Sequence, residues 1–227
     1  MNKRKTLLLA LAACMIAILA VGGTLAYFTA EETVTNTFTV GDVQITLTES
    51  KVTADRSKAN PAVTNSLAHG YFDADGADER TITDGSEQAY ETLQPGAFVH
   101  KDPMVTNTGT NDAYIRVKVT HNNVANMKKA ANDYYDQLVE EINGCAIDHT
   151  YSATESGDSV THVLLFTEPL AADDTIEIFD RIPVPSEYDN VHMDEVFGDL
   201  EIVITAEAIQ STGFADAASA FVAFDAQ

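Results

Sequence analysis

The chain has 227 residues and a formal net charge of −22 at pH 7, and 45% of its residues are hydrophobic. A chain this acidic repels nucleic acid and anionic lipid headgroups, which excludes both as partners. Its 10 Phe and 8 Tyr supply too much apolar material for a disordered acidic tail. We therefore predict a folded, acidic, single domain of ordinary size.

The first 26 residues have the layout of a secretory signal peptide. Positions 3–5 are basic, an unbroken apolar run covers 7–20, and two glycines at 22–23 end it. The three basic residues leave with the signal, so the mature chain keeps 10 Lys plus Arg against 35 Asp plus Glu, a formal charge of −25. We predict that residues 1–26 direct export and are then removed.

The predicted cleavage site lies between Ala26 and Tyr27. Thr24 and Ala26 place small side chains at the −3 and −1 positions that a signal peptidase requires. Two alternatives remain at this stage. Cys14 ends a lipobox-like Leu-Ala-Ala-Cys and could carry a lipid anchor, and residues 6–26 could be retained as a membrane anchor.

A segment with β-strand character follows the cleavage site at once. Val34, Phe38 and Val40 share one parity, as side chains on one face of a strand do. The apolar residues of 43–47 have the other parity, and the Gly-Asp pair between the two groups predicts a bulge or turn. Cleavage would thus leave residues 27–40 as an almost bare strand at the new N-terminus.

The remaining pattern is mainly that of strands. Residues 50–92 are polar and lack periodicity, so we predict a polar insertion there. Apolar alternation predicts strands at 98–105, 113–120, 160–166, 175–182 and 200–209. Apolar residues three and four apart predict a helix over 124–142, and residues 215–224 could form a short closing helix. The predicted fold is a mainly β, jelly-roll-like two-sheet sandwich with one or two helical excursions.

Candidate catalytic residues are few. None of the six His has the HExxH neighbourhood that zinc proteases use, and the half-site His192 with Glu195 is more typical of a surface loop. Cys145 is alone in the mature chain, so no intramolecular disulfide is predicted, and its surroundings favour an inert thiol. We predict no enzymatic activity and no cofactor.

Four carboxylates form a better candidate for a metal site than the histidines do. They cluster in the stretch YFDADGADE and are Asp73, Asp75, Asp78 and Glu79. Calcium prefers several loop carboxylates, but the glycine at 76 and the aspartate at 84 depart from EF-hand spacing. A solvated acidic loop is the simpler interpretation, and whether this loop binds calcium stays open.

Four stretches occur in an order that resembles the TasA and camelysin family. They are GGTLAYFT, NTFTVGDVQITLTE, LQPGAFVHKDPMVTNTGTNDAYIRVKV and EIVITAEAIQSTGF. The resemblance implies an exported protein of Gram-positive bacteria that is processed by a SipW-type signal peptidase. TasA-type members build biofilm matrix fibres from jelly-roll subunits, each completed by the N-terminal strand of the next. Camelysin is instead described as a surface metalloprotease.

The residues favour the structural function over the proteolytic one, since a strand freed by cleavage can add to an open sheet edge. We expect a secreted homopolymer in the extracellular matrix or at the cell surface, with an accessory matrix protein as a further partner. A surface adhesin that does not polymerise is the other alternative. The side chains expected to fill pockets of the next subunit are those of Tyr27, Phe28, Val34, Phe38 and Val40.

Overall fold

A computed structural model of the chain describes residues 29–33, 36–37, 43–63, 65–74, 80–83, 93–129 and 134–227. The strands in chain order are β1 Thr29–Thr33, β2 Asn36–Thr37, β3 Ile45–Ser50, β4 Val52–Thr53, β5 Ala68–His69, β6 Tyr71–Phe72, β7 Ile82–Thr83, β8 Phe98–His100, β9 Met104–Asn107, β10 Ala113–His121, β11 His149–Ser156, β12 Ser159–Phe166, β13 Thr175–Glu177, β14 Arg181–Pro183 and β15 Ile202–Gln210. The α-helices are α1 Val124–Lys129, α2 Tyr134–Ile142, α3 Asn190–Phe197 and α4 Ala217–Asp225.

A six-stranded antiparallel sheet forms one layer, with strand order β11-β12-β10-β15-β1-β2. The second layer contains a four-stranded sheet, β13-β9-β3-β7, and a three-stranded sheet, β14-β8-β5, in which β5 runs parallel to β8. A small β4-β6 ladder lies in the polar insertion. The prediction of a mainly β sandwich is confirmed, and the described residues contain four helices where one or two excursions were predicted.

Buried and partly exposed residues alternate along the central strands, and the buried ones form the core. In β10, Ile115, Val117 and Val119 are fully buried, whereas the residues between them are partly exposed. The second layer contributes Ile45 and Val105 to the same cluster. Burial of each such aliphatic side chain stabilises the fold by about 1.5–3 kcal/mol. The predicted strand at 113–120 is confirmed, as are those at 160–166 and 200–209.

Two other predicted strands are wrong as single elements. The stretch 98–105 divides into β8 and β9, and 175–182 divides into β13 and β14. The halves pair with one another, β9 with β13 and β8 with β14. Pro103, which lies between β8 and β9, has no backbone N–H to donate, and the preceding Asp102 is fully buried.

The predicted helix over 124–142 is described as α1 and α2, whose apolar face includes the buried Met127, Leu138 and Ile142. The closing helix predicted at 215–224 is confirmed as α4, which covers the outer face of the six-stranded sheet. Its Phe221 packs with Tyr114 and Ile209. Several elements were not predicted: α3, which buries only Val196 among its residues, the polar strand β11, and the short strands β4 to β7 within residues 50–92.

Candidate functional site: the N-terminal edge of the six-stranded sheet

The N-terminal strand β1 lies near the edge of the six-stranded sheet. It pairs antiparallel with β15, in a register that runs from Thr29 opposite Ile209 to Thr33 opposite Thr205. The two-residue β2 pairs with β1 on its other side. The described part of the predicted donor segment is therefore a strand of its own chain's sheet.

The predicted site residues themselves lie outside the described residues. These are Ala26 and Tyr27 at the cleavage site and Phe28, Val34, Phe38 and Val40 of the donor segment. Their assigned roles stay predictions, and the structure places only their neighbours Thr29–Thr33 and Asn36–Thr37.

Strand β15 is the partner that receives β1, and the sequence analysis did not single it out. Its Ile204, Ala206 and Ala208 are buried in the core, while β10 pairs with its opposite side along its whole length. Cα atoms of β1 and β3 approach to within 8 Å, so β1 also lies beside the second layer. The alternating stretch IVITAEAIQ was the available signal for a buried acceptor strand.

An ion network lies on the outer face of β15, beside β1. Glu207 is almost fully buried and accepts hydrogen bonds from Arg116 Nε and Lys118 Nζ. Arg116 also donates to both carboxylate oxygens of Asp225, at 2.6 and 2.8 Å. Burial opposes the charge of Arg116, but its bonds to Asp225 and Glu207 outweigh this and raise its pKa.

The same arginine fixes the C-terminal helix. Its guanidinium carbon lies 4.4 Å from the ring centroid of Phe221, a cation–π arrangement, and the Asp225 pair holds the end of α4. Residue 31 of β1 is the register partner of Glu207. β1 thus pairs with β15 at the position of Glu207, which is linked to the C-terminal helix through Arg116 and Asp225.

Two buried histidines form a second polar cluster, under α2. His121 and His162 stack with ring centroids 5.1 Å apart. His121 Nδ1 donates to Asn122 O at 3.0 Å, and His162 Nδ1 pairs with the Tyr151 hydroxyl at 2.7 Å. Burial lowers the pKa of both, and the proximity of His121 contributes to bringing that of His162 to about 4. Both rings are therefore neutral at pH 7.

A third cluster joins the polar insertion to the sandwich. Asp102 accepts from Ser50 N at 2.8 Å, from Ser50 Oγ at 2.5 Å and from Arg80 Nη1 at 2.6 Å. A catalytic triad places a histidine between the serine and the aspartate, whereas here the serine bonds the aspartate directly. Asp102 thus acts as a buried anchor that holds Arg80 of the insertion.

The remaining chemical candidates have ordinary surroundings. Cys145 Sγ lies 3.4 Å from Glu177 O, and burial raises the pKa of its thiol, which keeps it protonated at neutral pH. His192 Nδ1 contacts Asp189, the N-cap residue of α3, at 2.7 Å. Asp73 lies 3.6 Å from Lys51 Nζ, and the other three residues of the calcium candidate are outside the described ranges.

Among the described residues, no cluster of three or more His, Cys, Asp or Glu is arranged to hold a metal ion. No helix in that part of the chain has the length and apolarity needed to span a bilayer.

Comparisons with known proteins found no relative of the chain. No family model matches the chain, and neither the curated proteins nor the solved structures include a significantly similar one.

Proposed function

We propose that the chain is an exported structural subunit of extracellular biofilm matrix fibres. After a SipW-type signal peptidase removes the signal, subunits assemble head to tail by strand donation, with an accessory matrix protein as a further partner. The observation that carries this proposal is the pairing of Thr29–Thr33 with β15. The strand begins just after the predicted cleavage site, so processing would release it from the leader.

Strand donation requires that one strand can leave its own sheet and enter another. An N-terminal strand near the sheet edge, such as β1, meets this requirement because it is tied to the fold on its C-terminal side alone after cleavage. Residues 38–44 join β2 to β3, and an extended segment of this length reaches up to about 25 Å. The same five register pairs with β15 can then form within one chain or between two chains.

The balance between a strand paired within its own chain and a strand donated to another chain depends on concentration and charge. Because the exchanged contacts are the same, strand exchange costs little free energy, as in domain swapping. Repulsion between subunits of formal charge −25 opposes assembly. Salt or acid reduces this repulsion, so both are expected to favour fibres.

A register-specific disulfide distinguishes donation between chains from closure within one chain. In a Cys145→Ala background, Thr33→Cys and Thr205→Cys place two thiols opposite each other across β1 and β15. Oxidised fibres are then denatured and run on a non-reducing gel. Strand donation gives a ladder of covalently linked subunits, whereas a strand that stays in its own chain gives only monomers.

The matched control combines Thr33→Cys with Val203→Cys, which moves one thiol two residues out of register on the same face of β15. This pair is expected to give little cross-linking. If electron microscopy shows that the mature protein forms no fibres under acidic, high-salt conditions, the proposed function itself is refuted. Fibres that yield only monomers on the gel would keep the structural role and refute strand donation.

A further inference from the structure

The opposite edge of the six-stranded sheet is formed by β11, and it differs from every other sheet edge in the described residues. β11 has eight residues, whereas the other edge strands there have two or three. Short edge strands are one way in which proteins prevent pairing with another chain. β11 lacks this protection.

Other protective features are also missing from β11. The strand, HTYSATES, contains no proline, glycine or lysine, and its pairing with β12 continues without a bulge from His149 to Ser156. Residues 152–156 are exposed, and within the described part of the chain β11 pairs only with β12. The outer edge of β11 therefore presents backbone donors and acceptors in a regular row.

We propose that β11 is a self-association edge, which pairs antiparallel with β11 of a second copy across a two-fold axis at Ser152. An axis perpendicular to the sheet keeps the inner face of one copy continuous with the inner face of the other. Residues that lie opposite each other must then share a face, which restricts the register to steps of two.

The side chains that lie opposite each other favour the register at Ser152. In this register His149 lies opposite Glu155 of the second copy, and the two-fold axis creates this contact twice. Thr150 lies opposite Thr154 of the second copy, a favourable β-branched pair on the outer face. A shift of two residues toward the C-terminus would place Glu155 opposite Tyr151 instead.

The charge of β11 also suits a second copy. The chain carries 35 acidic residues, yet β11 contains one, Glu155, and Lys128 Nζ pairs with it at 2.5 Å. Both ring nitrogens of His149 lie near oxygen atoms, Ile147 O and Asn143 Oδ1. No carboxylate of β11 faces another across the axis, so two copies can approach here without direct repulsion between their strands.

This contact goes beyond the proposed function and does not depend on it. β1 and β11 lie on opposite sides of β15, β10 and β12 in the sheet. Strand donation at β1 would extend a fibre, and pairing at β11 would join two subunits of different fibres side by side.

Single cysteines in the mature Cys145→Ala protein test the register. Ser152→Cys is expected to form a disulfide-linked dimer under mild oxidation, because residue 152 faces itself across the axis. Thr150→Cys and Thr154→Cys are each expected to remain monomeric alone and to form a mixed dimer when combined. Equal cross-linking of all three single variants, or none with Ser152→Cys, would overturn the proposal.

A matched pair of variants tests the contact without a cross-link. Ser152→Asp places two carboxylates at the axis and is expected to weaken the dimer up to about fivefold, while the neutral Ser152→Asn retains it. Sedimentation analysis of the soluble fraction, after fibres are pelleted, measures the dimer. Loss of dimer in both variants, or in neither, contradicts the register. Dimers without fibres would refute only the proposed function, and fibres without dimers only this inference.

Discussion

The imidazole rings of His121 and His162 stack at a centroid distance of 5.1 Å, and both residues are almost fully buried between β10, β12 and the helix α2. Tyr135 of α2 covers the pair, and Lys128 lies 4.6 Å from the ring centroid of Tyr135. Burial, together with the second imidazole beside it, disfavours a positive charge on His162.

This arrangement predicts acid sensitivity. Burial lowers the pKa of His162 to about 4, whereas an unfolded histidine titrates near 6.5. The unfolded chain therefore binds protons first, and stability is lost as pH falls from about 6.5 toward about 4. The loss attributable to His162 is about 3 kcal/mol.

Urea unfolding of the mature protein and of His162→Leu, from about pH 7 to about pH 4, measures this loss. The variant is expected to show a shallower decline, and His192→Gln on exposed α3 serves as the control. Parallel profiles for wild type and His162→Leu would contradict the assignment.

Removal of Arg116 is expected to destabilise the fold. Arg116→Met leaves Glu207 buried with Lys118 as its remaining cation and releases Asp225 from α4. The expected loss is about 3 kcal/mol of unfolding free energy. Adding Glu207→Gln should recover most of it, because no uncompensated carboxylate remains, whereas Asp225→Asn alone costs less than about 1 kcal/mol. Chemical denaturation of the variants measures each value, and no recovery in the double variant would argue against the pairing.

Asp102 is expected to hold the polar insertion. Asp102→Asn replaces an oxygen that accepts hydrogen bonds with an NH₂ group and removes the charge that pairs with Arg80. The expected cost is about 3 kcal/mol, with faster proteolytic cleavage within residues 50–92. The exposed Asp112→Asn is the control for loss of a carboxylate. Unchanged cleavage rates and stability in Asp102→Asn would refute the anchoring role.

Fibre formation is expected to depend on the segment before Gly41. A variant that starts at Gly41 should stay soluble but form no fibres, and Phe38→Asp should weaken assembly. Burial of Val34, Phe38 and Val40 in a neighbour contributes about 1.5–3 kcal/mol for each side chain, and each backbone hydrogen bond adds about 1 kcal/mol net. Electron microscopy and sedimentation under acidic, high-salt conditions provide the measurement. Identical fibres from the truncated variant would require a lateral interface instead.

The mature protein is expected to begin at Tyr27. Ala26→Tyr should block processing, because the −1 position requires a small side chain, whereas Leu25→Tyr at the unconstrained −2 position should be processed normally. Mass spectrometry of the secreted protein identifies the N-terminus. A start before Cys14 or after Val40 would contradict the predicted site.

Local periodicity was sufficient to locate the strands whose two faces differ. The alternation of apolar and polar residues predicted the strands β10, β12 and β15, and apolar residues three and four apart predicted the helical stretch of α1 and α2. These features depend on neighbouring residues alone. A local cause also acts at Gly96, which follows Pro95 and adopts a φ of +78°, the left-handed conformation that glycine favours in turns.

Features that depend on distant partners required the tertiary structure. The division of 98–105 and 175–182 follows from which sheet each half joins. Strand β11 has polar residues on both faces because it is an edge, so no alternation marks it. The pairing of β1 with β15 and the stacking of His121 on His162 bring together residues far apart in the chain. The sequence by itself determined which residues prefer a strand and a buried face, while long-range pairing decided which strands meet and which edge stays open.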